Sequence, residues 1–139
     1  MNASRYFPFA GRLLIGLPFA MSGFGKLTAA APTRQMIAAA GLPSPLLALA
    51  VAIVVELGGG LSLIAGFRTR FVAAALAIFS IAAALSFHTN FADQNQMIHF
   101  LKDVMIAGGL LQIVAFGAGA FSVDNLQPRR ATRRVRQPG

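Results

Sequence analysis

Residues 46–67 read LLALAVAIVVELGGGLSLIAGF, an apolar run in which Glu56 is the single ionisable side chain. As an α-helix rising about 1.5 Å per residue, the run spans the ~30 Å hydrocarbon core of a bilayer. Glu56 then falls near the midplane, where an ionised carboxylate costs at least a few kcal/mol. The group must be protonated, paired or in contact with water, and each option is local chemistry.

The rest of the chain agrees with a membrane setting. Of its 139 residues, 56% are hydrophobic and 12% charged, about half the charged share of a soluble domain. The net charge is +8, but Arg129, Arg130, Arg133, Arg134 and Arg136 fall within the last eleven positions. Such a tail behind an apolar run reads as a cytoplasmic anchor on anionic headgroups. Nucleic acid is not an expected partner, because no basic-aromatic groove accompanies the tail. There is no cysteine, so disulfide exchange, thiolate nucleophiles and thiolate metal or iron–sulfur sites within this chain are excluded.

Working outward from 46–67, three more apolar segments appear at about 7–27, 71–87 and 100–121, each close to the length a spanning helix needs. The expected fold is all-α: an integral membrane four-helix bundle of antiparallel hairpins over 1–127, followed by a basic tail at 128–139. The connector 28–45 carries Ala-Ala-Ala-Pro, Gly41 and Pro43-Ser-Pro45, which stop one helix and restart the next. Arg68-Thr69-Arg70 alone joins the second and third helices and forces a tight hairpin. A polar stretch from His88 to His99 links the third and fourth.

Counting basic residues orients the bundle. Arg5, Arg12, Arg68, Arg70 and the five tail arginines lie on one side, against Lys26, Arg34 and Lys102 on the other, 9 against 3. Both termini are therefore expected in the cytoplasm. The first segment reads as a retained helix; Ala29 to Ala31 offers a small-residue cleavage pattern, but Arg12, Pro18 and Lys26 interrupt a signal-peptide core.

Helices in lipid are held together by close packing of small residues. Gly58, Ser62 and Gly66 on the second helix, facing Ala73, Ala77, Ser80 and Ala84 on the third, are where the tightest seam is expected. Arg12 lies about 7–8 Å to the cytoplasmic side of its helix centre at 1.5 Å per residue, a height its side chain can bridge. An Arg12–Glu56 ion pair is the first expectation, serving either as a staple between helices or as a substrate or proton site. Lys26 and Lys102 sit near the outer ends of their helices, poorer partners for Glu56 unless a helix breaks. There, Lys26, His88, His99, Lys102 and Asp103 form a cluster suited to an anion, a quinone carbonyl or a proton-relay water chain. Snorkelling and helix capping would explain the same residues. No metal site is expected, since two histidines at helix ends and few carboxylates make a thin ligand set. No nucleophile, base and orienting group stand together either, and the serines read as packing residues.

The assembled pieces resemble the DoxX family of small four-helix bacterial membrane proteins, most closely its YqjF-like inner-membrane branch. The resemblance rests on RLLIG (12–16), GFGKL (23–27), ELGGGLSLIAG (56–66) with Arg70, FHTNF (87–91) and FLKDVMIAGGLL (100–111). It implies that Arg12, Lys26, Glu56, His88 and Lys102 are recurrent polar positions, and Asp103 departs from the asparagine expected there. The family is named for a subunit of a quinol-oxidising or thiosulfate-to-quinone respiratory system. The resemblance thus implies an inner-membrane accessory subunit associated with quinone and with a membrane or soluble redox partner protein. No cofactor is evident in the chain itself, and no self-sufficient catalytic constellation makes it an enzyme alone. A non-catalytic scaffold and a small homo-oligomeric transporter are the competing readings.

Overall fold

A computed structural model describes residues 2–127, and every regular element among them is helical. The basic tail 128–139 lies outside the described residues. After a 3₁₀ turn at Ala3–Arg5, α1 runs over Phe7–Thr28 and a short α2 over Ala30–Ala39. Next come α3 (Pro45–Ile53), a π-helical segment (Val54–Gly58) and α4 (Gly59–Ala65), which continue into one another as a single span. The chain closes with α5 (Thr69–Phe87), α6 (Gln94–Phe116) and a four-residue α7 (Val123–Leu126). Four stretches are long and apolar enough to cross a membrane: Ala3–Thr28, Pro45–Ala65, Thr69–Phe87 and Gln94–Phe116.

Local chemistry sets the ends of these spans. Pro8 and Pro45 occupy first-turn positions of α1 and α3, where the missing N–H costs nothing. Gly66 takes the left-handed conformation at φ 72°, and Phe67 N–H donates back to the Ser62 carbonyl at 3.0 Å, so α4 stops and the hairpin to α5 turns. Asp93 caps α6 by accepting the Asn95 N–H at 2.9 Å, and Gln96 Oε1 accepts the Asn90 N–H at 3.1 Å. The fourth span consequently starts at Gln94 and ends at Phe116, not at 100 and 121. Polar residues can form a first helical turn where water or headgroups reach it, and Gly117 at φ 81° breaks the helix at the far end. The connector 28–45 is likewise more ordered than its turn residues suggest, because its alanine-rich centre forms α2.

Apart from Arg12, Leu63, Leu76 and Leu110, the interior of the bundle is built mostly from small residues, and many large apolar side chains face outward. Phe7, Leu14, Phe71, Ile78, Met105 and Phe116 are exposed, whereas Gly16, Ala20, Gly23, Gly60, Ala73, Ala77, Ser80 and Ala84 are buried. Water would penalise that surface heavily, and lipid does not. Helix α1 packs along the π segment and α4, and α5 packs most extensively on α6. Leu63 of α4 joins Ala73, Leu76 and Ala77 of α5 with Ala107 and Leu110 of α6 in the central core.

The tightest backbone seam lies between the first and second spans, not in the second hairpin. A Cβ on Gly16 would come within 2.8 Å of the Gly60 carbonyl oxygen, and one on Gly60 within 2.6 Å of the Ala20 nitrogen. A Cβ on Gly23 would collide with the Leu57 backbone. Gly58, expected in a seam, has nothing near it, and Gly66 instead faces Ser122 and Arg12. This seam places Gly23 beside Leu57 and Gly16 beside Gly60, and so fixes which residues of α1 stand level with Glu56.

Candidate functional site

The expected Arg12–Glu56 pair does not form. Arg12 is fully buried at the opposite end of α1, where its guanidinium is consumed by backbone carbonyls. Nε donates to Ala118 O at 2.9 Å, and Nη1 donates to Leu63 O at 2.9 Å and Ile64 O at 2.8 Å. Nη2 donates to Phe121 O. Leu63 and Ile64 belong to the last turn of α4, whose carbonyls lack partners within the helix. A five-donor planar fork suits this work better than an ammonium would.

Asp124 completes this end. Its carboxylate accepts the Arg68 N–H at 2.8 Å, the Thr69 N–H at 2.8 Å and the Thr69 hydroxyl at 2.6 Å, thereby capping α5. Burial by itself pushes the Asp124 carboxyl up; the hydrogen bonds from Thr69 and Arg68 and the nearby Arg12 cation outweigh it and hold the group below its usual range.

Glu56 pairs instead with Lys26. The π segment carries the carboxylate towards α1, where Lys26 Nζ lies 2.8 Å from Oε2. Lys26 Nζ also donates to Ser22 Oγ at 2.9 Å, and Ser22 Oγ donates to Glu56 Oε1 at 3.1 Å. Ser22 and Lys26 are four residues apart on one face of α1, which closes the three groups into a ring. Glu56 is 6% exposed. Its Oε2 is held by the charge of the Lys26 ammonium. Single-turn π segments recur at functional sites because they re-aim a side chain that an α-helix would point elsewhere.

This ring stands at the polar end of a cavity of about 510 Å³. The walls are apolar, from Met36 and Ile37 of α2 and Val51 of α3 to Phe79 and Phe87 of α5; Lys26, Glu56, His88 and Asp103 bring the polar groups. A second cavity of about 260 Å³ opens between α1 and α6, past Pro18 and Ile106. Glu56 and Asp103 line both.

Of the other outer residues, His88 Nε2 lies 3.9 Å from Asp103 Oδ2, and the His88 and His99 rings stack at 5.1 Å. His99 is exposed and joins the cavity only through that stack. Lys102 is exposed and lines neither cavity. The structure therefore gathers Lys26, Glu56, His88 and Asp103, adds His99 at the margin, and leaves Arg12 and Lys102 elsewhere. Among the described residues there is no group of three or more histidine or acidic side chains able to hold a metal ion.

Sequence reasoning passed over Ser22, read as a packing residue, and Asp124. For Asp124 a signal was present. The chain has only four acids, and each has a defined partner: Glu56 with Lys26, Asp103 with His88, Asp93 at the start of α6 and Asp124 at the start of α5.

The chain is similar to known proteins. The inner membrane protein YqjF of Escherichia coli (strain K12) is 40% identical over 115 residues, covering 83% of this chain and 87% of that protein. The inner membrane protein YphA of the same organism is 33% identical over 138 residues, covering 89% of this chain and 99% of that protein. No solved structure matches. The DoxX family model matches residues 7–89, a segment that carries Arg12, Lys26, Glu56 and His88. With its four spanning helices, the chain is a multi-pass inner-membrane protein and belongs to the DoxX family.

Proposed function

We propose that this DoxX-family protein is an accessory subunit of a membrane redox system and holds a quinone in the cavity that ends at Glu56. The observation that carries the reading is an apolar space of about 510 Å³ closed by a buried carboxylate paired with the Lys26 ammonium. That combination suits a lipophilic molecule with a polar head: a largely apolar pocket supplies binding, and a few convergent polar groups supply orientation. Lys26 and His88 are the donors available to a carbonyl, and Glu56 and Asp103 are the groups able to hold a proton there. When bound, a quinone supplies two-electron, two-proton chemistry. Thiol chemistry has to come from a partner protein, because this chain has no cysteine.

The reading is tested by isolating the protein in native-lipid particles and extracting what travels with it. Quinone enriched over the surrounding bilayer, and lost in Glu56→Gln and Lys26→Met at unchanged protein yield, is the expected result. Quinone at bulk-lipid abundance in all three samples would remove the proposal. A small transporter has one observation in its favour, the meeting of two cavities at Glu56 and Asp103. Solute flux in liposomes that stops in Glu56→Gln, with no quinone retained, would move the assignment there.

We also place both termini in the cytoplasm, on the 9-to-3 basic asymmetry. Tyr6 stacks on Phe121 at 5.1 Å, and Asp124 binds Arg68 and Thr69, so the N-terminal end, the 66–70 hairpin and the segment after α6 share one face. Labelling of Asn95→Cys but not Gln137→Cys by an impermeant thiol reagent in intact cells is expected, and the reverse pattern would invert the bundle.

A further inference from the structure

At the end of the bundle opposite the Glu56 cavity lies an open notch of about 610 Å³ between the α4–α5 hairpin and the segment that follows α6. Arg68 and Arg70 line it, and neither forms an ion pair among the described residues. Arg70 is laid over the backbone: a Cβ on Gly117 would touch its Nε at 3.3 Å and its Nη2 at 3.4 Å. Gly117 sits at φ 81°, a backbone conformation that selects glycine.

Asp124 also lines the notch, yet both its oxygens are already used by Arg68 N–H, Thr69 N–H and the Thr69 hydroxyl. The α5 N-terminus is thereby satisfied, and the two guanidiniums against this one carboxylate leave the notch with a net positive charge. Two exposed aromatic side chains, Phe71 and Phe116, flank the notch. Phe71 begins the apolar part of α5, and Phe116 ends that of α6. A positively charged recess thus adjoins an apolar outer surface at one edge of the membrane.

We propose that this notch is a binding site for an anionic phospholipid, whose phosphate lies between Arg68 and Arg70 and whose acyl chains run along Phe71 and Phe116. A guanidinium binds phosphate through paired N–H donors, and two of them flanking Thr69 at the start of α5 set a headgroup in place. The apolar flanks select a lipid over free phosphate. The site stands at the other end of the bundle from the proposed quinone cavity and does not depend on it.

The test uses the full chain reconstituted in vesicles of phosphatidylcholine with and without phosphatidylglycerol, then extracted and examined for retained lipid by native mass spectrometry. The expected result is phosphatidylglycerol retained over phosphatidylcholine, with the preference falling about fivefold for each of Arg68→Gln and Arg70→Gln. The tail arginines are the same in every variant, so the difference belongs to the notch. A double Arg68→Lys, Arg70→Lys variant keeps the charge and is expected to retain an intermediate preference; it also separates loss of binding from loss of folding. An unchanged lipid preference in the double Gln variant would overturn the proposal. Equal displacement by inorganic phosphate or glycerol phosphate would overturn its lipid part and leave a free-anion site.

Discussion

Arg12 and Lys26 are two cations on one helix, about 21 Å apart at 1.5 Å per residue, and they live in opposite electrostatic settings. Arg12 is fully buried and spends three nitrogens on four carbonyls from two distant segments. Lys26 is a quarter exposed and meets one carboxylate and one hydroxyl beside a cavity. A cation whose every nitrogen is engaged by backbone carbonyls has little capacity left for a ligand and acts as a joint. A partly satisfied one next to empty apolar space is where ligand chemistry can begin. Charge inside a membrane segment is thus insufficient to mark a site; the unfilled part of its hydrogen-bonding capacity is the better guide.

The first way to break this contrast is to remove the joint. Arg12→Gln strands the carbonyls of Ile64, Ala118 and Phe121 and leaves that of Leu63 with the Gly66 N–H alone, and is expected to cost about 3–5 kcal/mol, read as loss of membrane accumulation and of thermal stability in detergent. Arg12→Lys should recover little of it, because one ammonium cannot reproduce the fork. Full recovery by lysine would show that charge, not geometry, holds this end.

The seam that sets the two cations apart can be disturbed next. Gly23→Ala places a methyl against the Leu57 backbone and is expected to destabilise by about 1–3 kcal/mol and to loosen the Lys26–Glu56 contact. Gly58→Ala, with open space at its Cβ, is the matched control and should be neutral or mildly stabilising. Equal effects at the two positions would count against the seam.

A smaller effect is expected at Glu56 itself. Glu56→Gln keeps the shape of the ring, and Lys26 can turn towards water, so about 1–2 kcal/mol is lost. In double-mutant cycles Glu56 should couple with Lys26, while Glu56 and Arg12 should be additive within about 0.5 kcal/mol. Coupling of Glu56 with Arg12 would mean that the register between α1 and the second span is different from the one described.

The smallest effect is a pH dependence at the Arg12 end. The folded-state pKa of Asp124 is depressed, so its contribution is fully present above the unfolded carboxylate pKa of about 3.9 and is lost as pH falls through the folded value. Wild type should therefore exceed Asp124→Asn in stability near neutrality, and the gap should close on acidification below about pH 4. A gap that stays constant to low pH would show that Asp124 acts through shape alone.

Much of the fold was legible in sequence because hydropathy and length alone define spans in a bilayer. The run 46–67 announced Glu56, and the polar residues at 88–103 announced the outer cluster. What escaped was register. Aligning helix centres put Arg12 within reach of Glu56, but contact between Gly16, Ala20 and Gly60 slides α1 so that Ser22 and Lys26 stand level with the carboxylate. Helix ends fixed by single polar groups escaped for the same reason: Asp93 and Asp124 act through individual backbone N–H groups, which hydrophobicity averaged over many residues does not detect. The π segment has no composition of its own, since Val-Val-Glu-Leu-Gly would serve equally well in an α-helix.

The Arg12 clamp also imposes an order on biosynthesis. Its guanidinium takes two partners from α4, 51 and 52 residues later in the chain, and its last two 106 and 109 residues later. At about 5–20 residues per second, the ribosome needs roughly 5–20 s after making Arg12 to reach Ala118. Throughout that interval α1 carries an incompletely compensated cation, and its first end has to stay near headgroups or water. The bundle cannot lock until its final segment has emerged, so residues beyond the last span decide whether the first one is finished.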